Sequence, residues 1–227
     1  MTSFAFTTNI TAPIACMQDY QLKQTLGSGI FSTVWEACQE TKCAYAVKVV
    51  IIQPDNLPPL EGILGETTTE ANFWQEVTLV QTASKLGVGP TYYNAWICDQ
   101  PVIIQGRTGY YLGFIVMSKI HISLRQWAER FSKLYFTWKA WLETKIREKL
   151  KVLLDAGLVY KDLHAGNIGL LIKYDLTPRE VVILDYSPLF VLVYPQGEVP
   201  TMERDHLLNE LLPGMFTYLD SQLEVNE

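Results

Sequence analysis

From Tyr20 to Ile52 apolar and polar positions alternate in short runs, the period-2 signature of half-buried strands, over residues 22–26, 33–38 and 44–51. Gly27 and Gly29 punctuate the first turn, so this segment predicts an antiparallel β start. Residues 53–69 carry Pro54, Pro58, Pro59, Gly62 and Gly65 with no period, which predicts an irregular insertion. The period then becomes helical over 69–86, where Phe73, Val77, Val80 and Ser84 share a face and Gly87 supplies the stop. Residues 91–98 and 110–117 read as two further strands around a turn at 105–109, giving five strands and one helix.

After Ser118 helical spacing dominates. It predicts helices over 123–131 and 137–156, the second with Leu142, Ile146, Leu150 and Leu153 on one stripe and Gly157 at its end. Apolar runs at 168–172 and 181–184 around a turn segment at 174–180 predict a β-hairpin, and a last helix is expected over 203–223, broken or kinked at Pro213-Gly214. The fold class is therefore α+β, with a sheet-rich N-terminal part over 1–117 and a mainly helical part over 118–227.

Composition narrows the function classes. With 48% hydrophobic and 19% charged residues, the 227-residue chain is too apolar for a disordered protein. Eighteen Lys+Arg against 24 Asp+Glu, a formal charge of -6, provide no global basic field for nucleic acid or an anionic membrane. Cys16, Cys38, Cys43 and Cys98 form no CxxC pair and stand beside no histidine cluster, so a zinc site is not expected and they read as reduced thiols. Residues 1–17 lack a basic n-region and no run of about 18 apolar residues occurs, so neither a signal peptide nor a spanning helix is expected, and the cytoplasm is the expected compartment.

The candidate chemistry follows chain order. Leu26-Gly27-Ser28-Gly29-Ile30-Phe31-Ser32-Thr33-Val34 places glycines at a strand-to-strand turn, where bare backbone N–H groups can approach phosphate oxygens. Ala46-Val47-Lys48 embeds a lysine in an apolar strand, and Glu76, on the following helix, is preferred over Glu70 as its ion-pair partner. Asp162 and Asn167 stand five apart between a long helix and a strand, supplying a carboxylate for an attacking hydroxyl and an amide oxygen for a metal. Asp185 follows an apolar strand, where burial would demand a cation.

In that order these residues resemble the protein-kinase-like fold over nearly the whole chain. The resemblance implies a bilobal architecture, with a five-stranded antiparallel N-terminal sheet and one helix, and a reduced C-terminal lobe. It implies binding of ATP and Mg2+. Gly27 and Gly29 would cover the phosphates, Ser28, Val34 and Ala46 would be further nucleotide-binding residues, Met117 would sit at the gatekeeper position, the Ser118 to Ile120 backbone would receive the adenine, and Lys48, anchored by Glu76, would hold the α- and β-phosphates. Asp162 would be the catalytic base, with Asn167 and Asp185 on the metal.

Departures sort the members. Ser32 replaces the third glycine, Tyr160-Lys161-Asp162 stands for H-R-D, Asp185-Tyr186-Ser187 stands for D-F-G, and no A-P-E follows. In this the chain is similar to minimal atypical kinases such as the RIO group and the small KEOPS kinase, which would assign Asp205 to a late-helix position. His164 gives a D-x-H-x-x-N loop that resembles aminoglycoside and choline-kinase-like enzymes. A Ser/Thr protein kinase acting on a protein hydroxyl leads, with a regulatory protein partner open. A small-molecule kinase and a catalytically silent binding module are the alternatives. Lys48→Met or Asp185→Asn is expected to stop transfer with the fold intact, and the short segment after Asp185, with 189–193 reading as buried, is expected to need no phosphorylation.

Overall fold

The alternating runs of the first half form one antiparallel sheet of eight strands, three more than the pattern predicts. The computed structural model describes residues 3–7, 10–28, 32–54, 57, 67–104 and 107–224. Within them run β1 (Ser3–Thr7), β2 (Ile10–Pro13), β3 (Tyr20–Ser28), β4 (Ser32–Gln39), β5 (Lys42–Ile52), β6 (Tyr92–Ile97), β7 (Val102–Ile104) and β8 (Arg107–Ser118). Their order is β1-β2-β7-β8-β5-β4-β3, and β6 also pairs with β8. The added strands are short, at 5, 4 and 3 residues, below the length at which alternation is legible. Gly29, Gln105-Gly106 and most of the 53–69 insertion lie outside the described residues. The ends of that insertion are joined, Gln53 N donating to Thr68 O at 2.9 Å and Thr68 N to Ile51 O at 2.9 Å.

The chain divides into two units, Met1–Thr78 with Tyr92–Lys119, and Leu79–Thr91 with Ile120–Glu227. In the first, alternation along β5 sends Val47, Val49 and Ile51 into a core with Trp35, Ala37, Leu112, Phe114 and Val116. The opposite face meets α1 (Glu70–Lys85), whose Phe73 is fully buried. Gly113 makes that approach possible, because a Cβ there would stand 2.6 Å from Phe73 Cε2.

The thiols are paired, which corrects the reduced reading: Cys16 bonds Cys98 and Cys38 bonds Cys43. Cys38 and Cys43 flank the tight β4–β5 turn, and Cys16, just before β3, meets Cys98 at the end of β6. Pairing of this kind depends on spatial rather than sequence neighbours. The argument for a reducing compartment from unpaired thiols therefore lapses. Among the described residues no helix is long and apolar enough to cross a membrane.

In the second unit α2 (Leu124–Arg130) starts at Ser123, whose hydroxyl and Gln126 side chain form a reciprocal capping box. α3 (Ser132–Asp155) buries Leu142, Ile146, Leu150 and Leu153 completely, and Gly157 follows with φ +85°. β9 (Ile122–Ser123), β11 (Ile168–Ile172) and β12 (Pro178–Ile183) make one small sheet, while β10 (Leu158–Tyr160) pairs with β13 (Val191–Val193). The C-terminal segment runs helically from α4 (Thr201–Asp205) through a π-helical stretch (His206–Leu211) into α5 (Leu212–Glu224). The expected interruption at Pro213-Gly214 appears as the widened π stretch that divides this helical segment directly before Pro213, the second residue of α5. Leu189 and Val193 are exposed and only Val191 among the valines there is buried, so residues 189–193 are not the buried run expected. Their apolar character supports the strand β13 instead.

Candidate functional site

The first unit aligns its candidate residues by register. Gly27 opposes Val34, Val34 opposes Lys48, and Ala46 opposes Met117. Directly opposed side chains share a face, and Ala46 lies two residues before Lys48, so Gly27, Val34, Ala46, Lys48 and Met117 occupy one face of the sheet. A Cβ at Gly27 would meet no atom within 4 Å, so packing does not require glycine there. Ser28 opposes Thr33 at the open end of the same hairpin.

On that face Lys48 Nζ lies 2.6 Å from Glu76 Oε1, with side chains only 7% and 8% exposed. They are the buried charged residues among those described. Glu76 reaches the sheet because it lies within the buried stripe that Phe73, Val80 and Ala83 mark on α1. Glu70 turns elsewhere, accepting from Trp74 Nε1 at 3.3 Å. Beyond Ser118 the β5–β8 ladder continues by one bond, Lys119 N to Ala44 O at 3.0 Å. The Lys119 ammonium pairs with Glu36 and, as the main cause, holds that carboxyl below its ordinary range. Ile120 belongs to the second unit, where it lies against Gly169.

The second unit builds a tight loop between β10 and β11. Asn167 Nδ2 donates to Asp162 Oδ2 at 2.9 Å and to Asp162 O at 3.1 Å, so the amide orients the carboxylate. Gly166 N donates to His164 Nδ1 at 3.1 Å, which leaves Nε2 as the protonated nitrogen of the neutral ring, 3.8 Å from Asp162 Oδ2. Leu184 N donates to Asn167 O at 2.8 Å, tying the loop to the end of β12 one residue before Asp185. Lys161 is held by its backbone N–H on Phe190 O at 2.8 Å and lies 3.4 Å from Glu203.

Asp185 differs from the expectation of a buried carboxylate. The strand stops at Ile183 and Asp185 is exposed, with φ +56°, a left-handed conformation rarely adopted outside glycine, asparagine and aspartate. Burial therefore gives no argument for a cation there; the donor chemistry does. Among the described residues no three His, Cys, Asp or Glu side chains form a metal-holding group. One carboxylate from Asp185 and one amide oxygen from Asn167 still fit magnesium, which takes few protein oxygens and completes its shell with water and phosphate.

Sequence reasoning assigned no role to Tyr160. Its phenol is fully buried and donates to Leu184 O at 2.6 Å. Burial first, then the charges of Asp185 and Asp162, push its ionisation well above the ordinary range, so it stays a neutral donor bracing the segment before Asp185. Burial likewise raises Tyr186, whose ring stands 5.8 Å from that of Tyr160. Its place in the H-R-D pattern was the available signal, but periodicity gives an aromatic at a strand end no function. Asp205 sits at the end of α4, where it accepts from Asn209 at 3.3 Å. Compared with known proteins, the chain matches no protein-family model and no curated protein.

Proposed function

We propose that the chain is an ATP- and magnesium-dependent phosphotransferase of the protein-kinase-like bilobal fold, acting as a Ser/Thr protein kinase. The observation that carries the reading is the buried Lys48–Glu76 pair, in register with Gly27, Val34, Ala46 and Met117 on one sheet face. A cation kept desolvated by a single-purpose carboxylate suits a fixed phosphate ligand better than a surface charge. The apolar side chains beside it suit a purine ring.

In this reading Asp162, oriented by Asn167, accepts the proton of the attacking hydroxyl. The new acceptor O–P bond forms as the bond from the γ-phosphorus to the β–γ bridging oxygen breaks, and ADP leaves with the electron pair. Lys48 holds the α- and β-phosphates, and Asn167 Oδ1 and Asp185 hold the metal. Bound magnesium supplies neutralisation of the charge developing on the phosphates. Tyr160 keeps Asp185 and the loop in fixed relation through Leu184. His164, with Nε2 aimed toward Asp162, favours a second reading as a small-molecule kinase.

The test is transfer from γ-radiolabelled ATP with magnesium to protein and to metabolite pools, beside a thermal-shift titration with ATP and magnesium. Label entering protein in wild type, and lost in Asp162→Asn, is expected. Label entering only metabolites selects the small-molecule reading. Neither label transfer nor a melting shift overturns the proposal.

A further inference from the structure

A cavity of about 430 Å3 lies in the first unit, where the N-terminal half of α1 stands over the sheet. Its floor follows from register: Ile52 opposes Tyr111, and Ala95, Ile97 and Asp99 alternate onto one side of β6 and its end. Its wall is Glu70 and Trp74, one turn apart on α1. Trp96 alternates to the other side of β6, where it opposes Phe114 and its ring stacks on Phe114 at 5.0 Å and Tyr20 at 5.9 Å, so that ring belongs to the core face and not to the cavity. Among the described residues the lining holds two carboxylates, the two aromatic side chains of Trp74 and Tyr111, and no lysine or arginine. The volume is that of a small-ligand site.

This lining selects its occupant. Carboxylates alone would suit a metal ion, but no group of three metal-ligating side chains exists among the described residues. Aromatic rings do not replace the water of a strongly hydrated ion. They do favour a cation whose charge is spread over alkyl groups, because the ring faces supply negative potential without stripping hydrogen bonds. Trp74, 41% exposed, and the half-buried Tyr111 are the rings that can present faces, with exposed Glu70 and Asp99 at the mouth. We propose that this cavity binds a small organic cation carrying an alkylated ammonium group. The site is separate from Lys48 and Glu76, and the proposal does not rest on phosphoryl transfer.

The experiment is calorimetric titration of the full chain with tetramethylammonium and with tert-butanol, its neutral counterpart of similar shape. Saturable binding of tetramethylammonium, at least about tenfold tighter than tert-butanol, is expected. Glu70→Gln/Asp99→Asn should weaken it about tenfold, and Trp74→Leu at least about threefold, the range of cation–π contributions. The amide oxygen introduced by Glu70→Gln can still accept from Trp74, and all three positions lie at the surface, so circular dichroism should match wild type. Equal binding of the two probes, no saturable binding of tetramethylammonium, or unchanged affinity in the charge-removed variant each overturns the proposal.

Discussion

Lys48→Met removes the ammonium on which the proposed phosphate site depends, and it should also weaken the fold. Methionine fills nearly the volume of the lysine stem, so packing survives. The Glu76 carboxylate, 8% exposed, loses the ammonium 2.6 Å away and stays buried. Removing one partner of a buried ion pair costs about 3–5 kcal/mol, whereas replacing both by apolar groups is often neutral. For a chain of this length, 1 kcal/mol corresponds to roughly 2–4 °C in melting temperature, so the single variant should melt about 6–20 °C lower. Lys48→Met/Glu76→Met should recover most of that loss and remain inactive in phosphoryl transfer. Urea unfolding followed by tryptophan fluorescence measures the first quantity and radiolabel transfer the second. Lys48→Met within about 0.5 kcal/mol of wild type, or a double variant no more stable than the single, would show that the pair is not the buried couple described. The expectation that Lys48→Met leaves the fold intact is thus revised by the burial of its partner, while Asp185→Asn, at an exposed position, keeps it.

Gly113→Ala should cost about 1–3 kcal/mol, since its Cβ would stand 2.6 Å from Phe73 and 2.9 Å from Ile52 Cδ1; Phe73→Leu added to it should restore part of the loss in the same urea titration. Losing Cys16–Cys98, separated by 82 residues, should cost about 4.5 kcal/mol in the loop-entropy treatment, against about 2 for Cys38–Cys43, separated by 5. Paired serine variants compared by calorimetry check that order, and equal losses would refute it. Ser187→Ala/Thr201→Ala should retain transfer activity within about tenfold, about 1.4 kcal/mol, because β13 already orders this segment against β10 and Lys161 N bonds Phe190 O. A greater fall, or a comparable fall on phosphatase treatment, would show dependence on phosphorylation.

Long elements were readable because burial there is periodic. In α3 the stripe Leu142, Ile146, Leu150 and Leu153 is fully buried, and the β4 and β5 strands extend only a residue or two beyond the alternating runs. Strands of two to five residues carry too few alternations to stand out, which hid β1, β2, β7, β9, β10 and β13, while the five-residue β11 showed because its run is apolar throughout. Strong apolar runs also mislead where one face is solvent: Leu189 stands in the turn before β13, and Val193 lies on a two-stranded pair that buries Val191 and leaves Val193 exposed.

The site divides along the same line. Spacing within one element shows that Asp162 and Asn167 can meet, since five residues on a short loop leave few conformations. It cannot show that Cys16 meets Cys98, because that contact depends on β6 passing beside the turn before β3, a fact of sheet order and not of local pattern. Lys48 and Glu76 stand between these cases. Each is a charged residue on an otherwise apolar stripe, and two such violations on neighbouring elements are cheapest when they cancel. That inference needs only the two periods, of 2 and 3.6, and a reason for strand and helix to pack. Glu70 was a rival because it lies on the same helix six residues earlier, and at 100° per residue that is about 120° away from Glu76 around the axis. Phe73 lies one turn from both and does not select between them; buried Val80 and Ala83 do, because they extend the buried stripe on the side of Glu76 and leave Glu70 at its edge, turned toward Trp74 and the cavity.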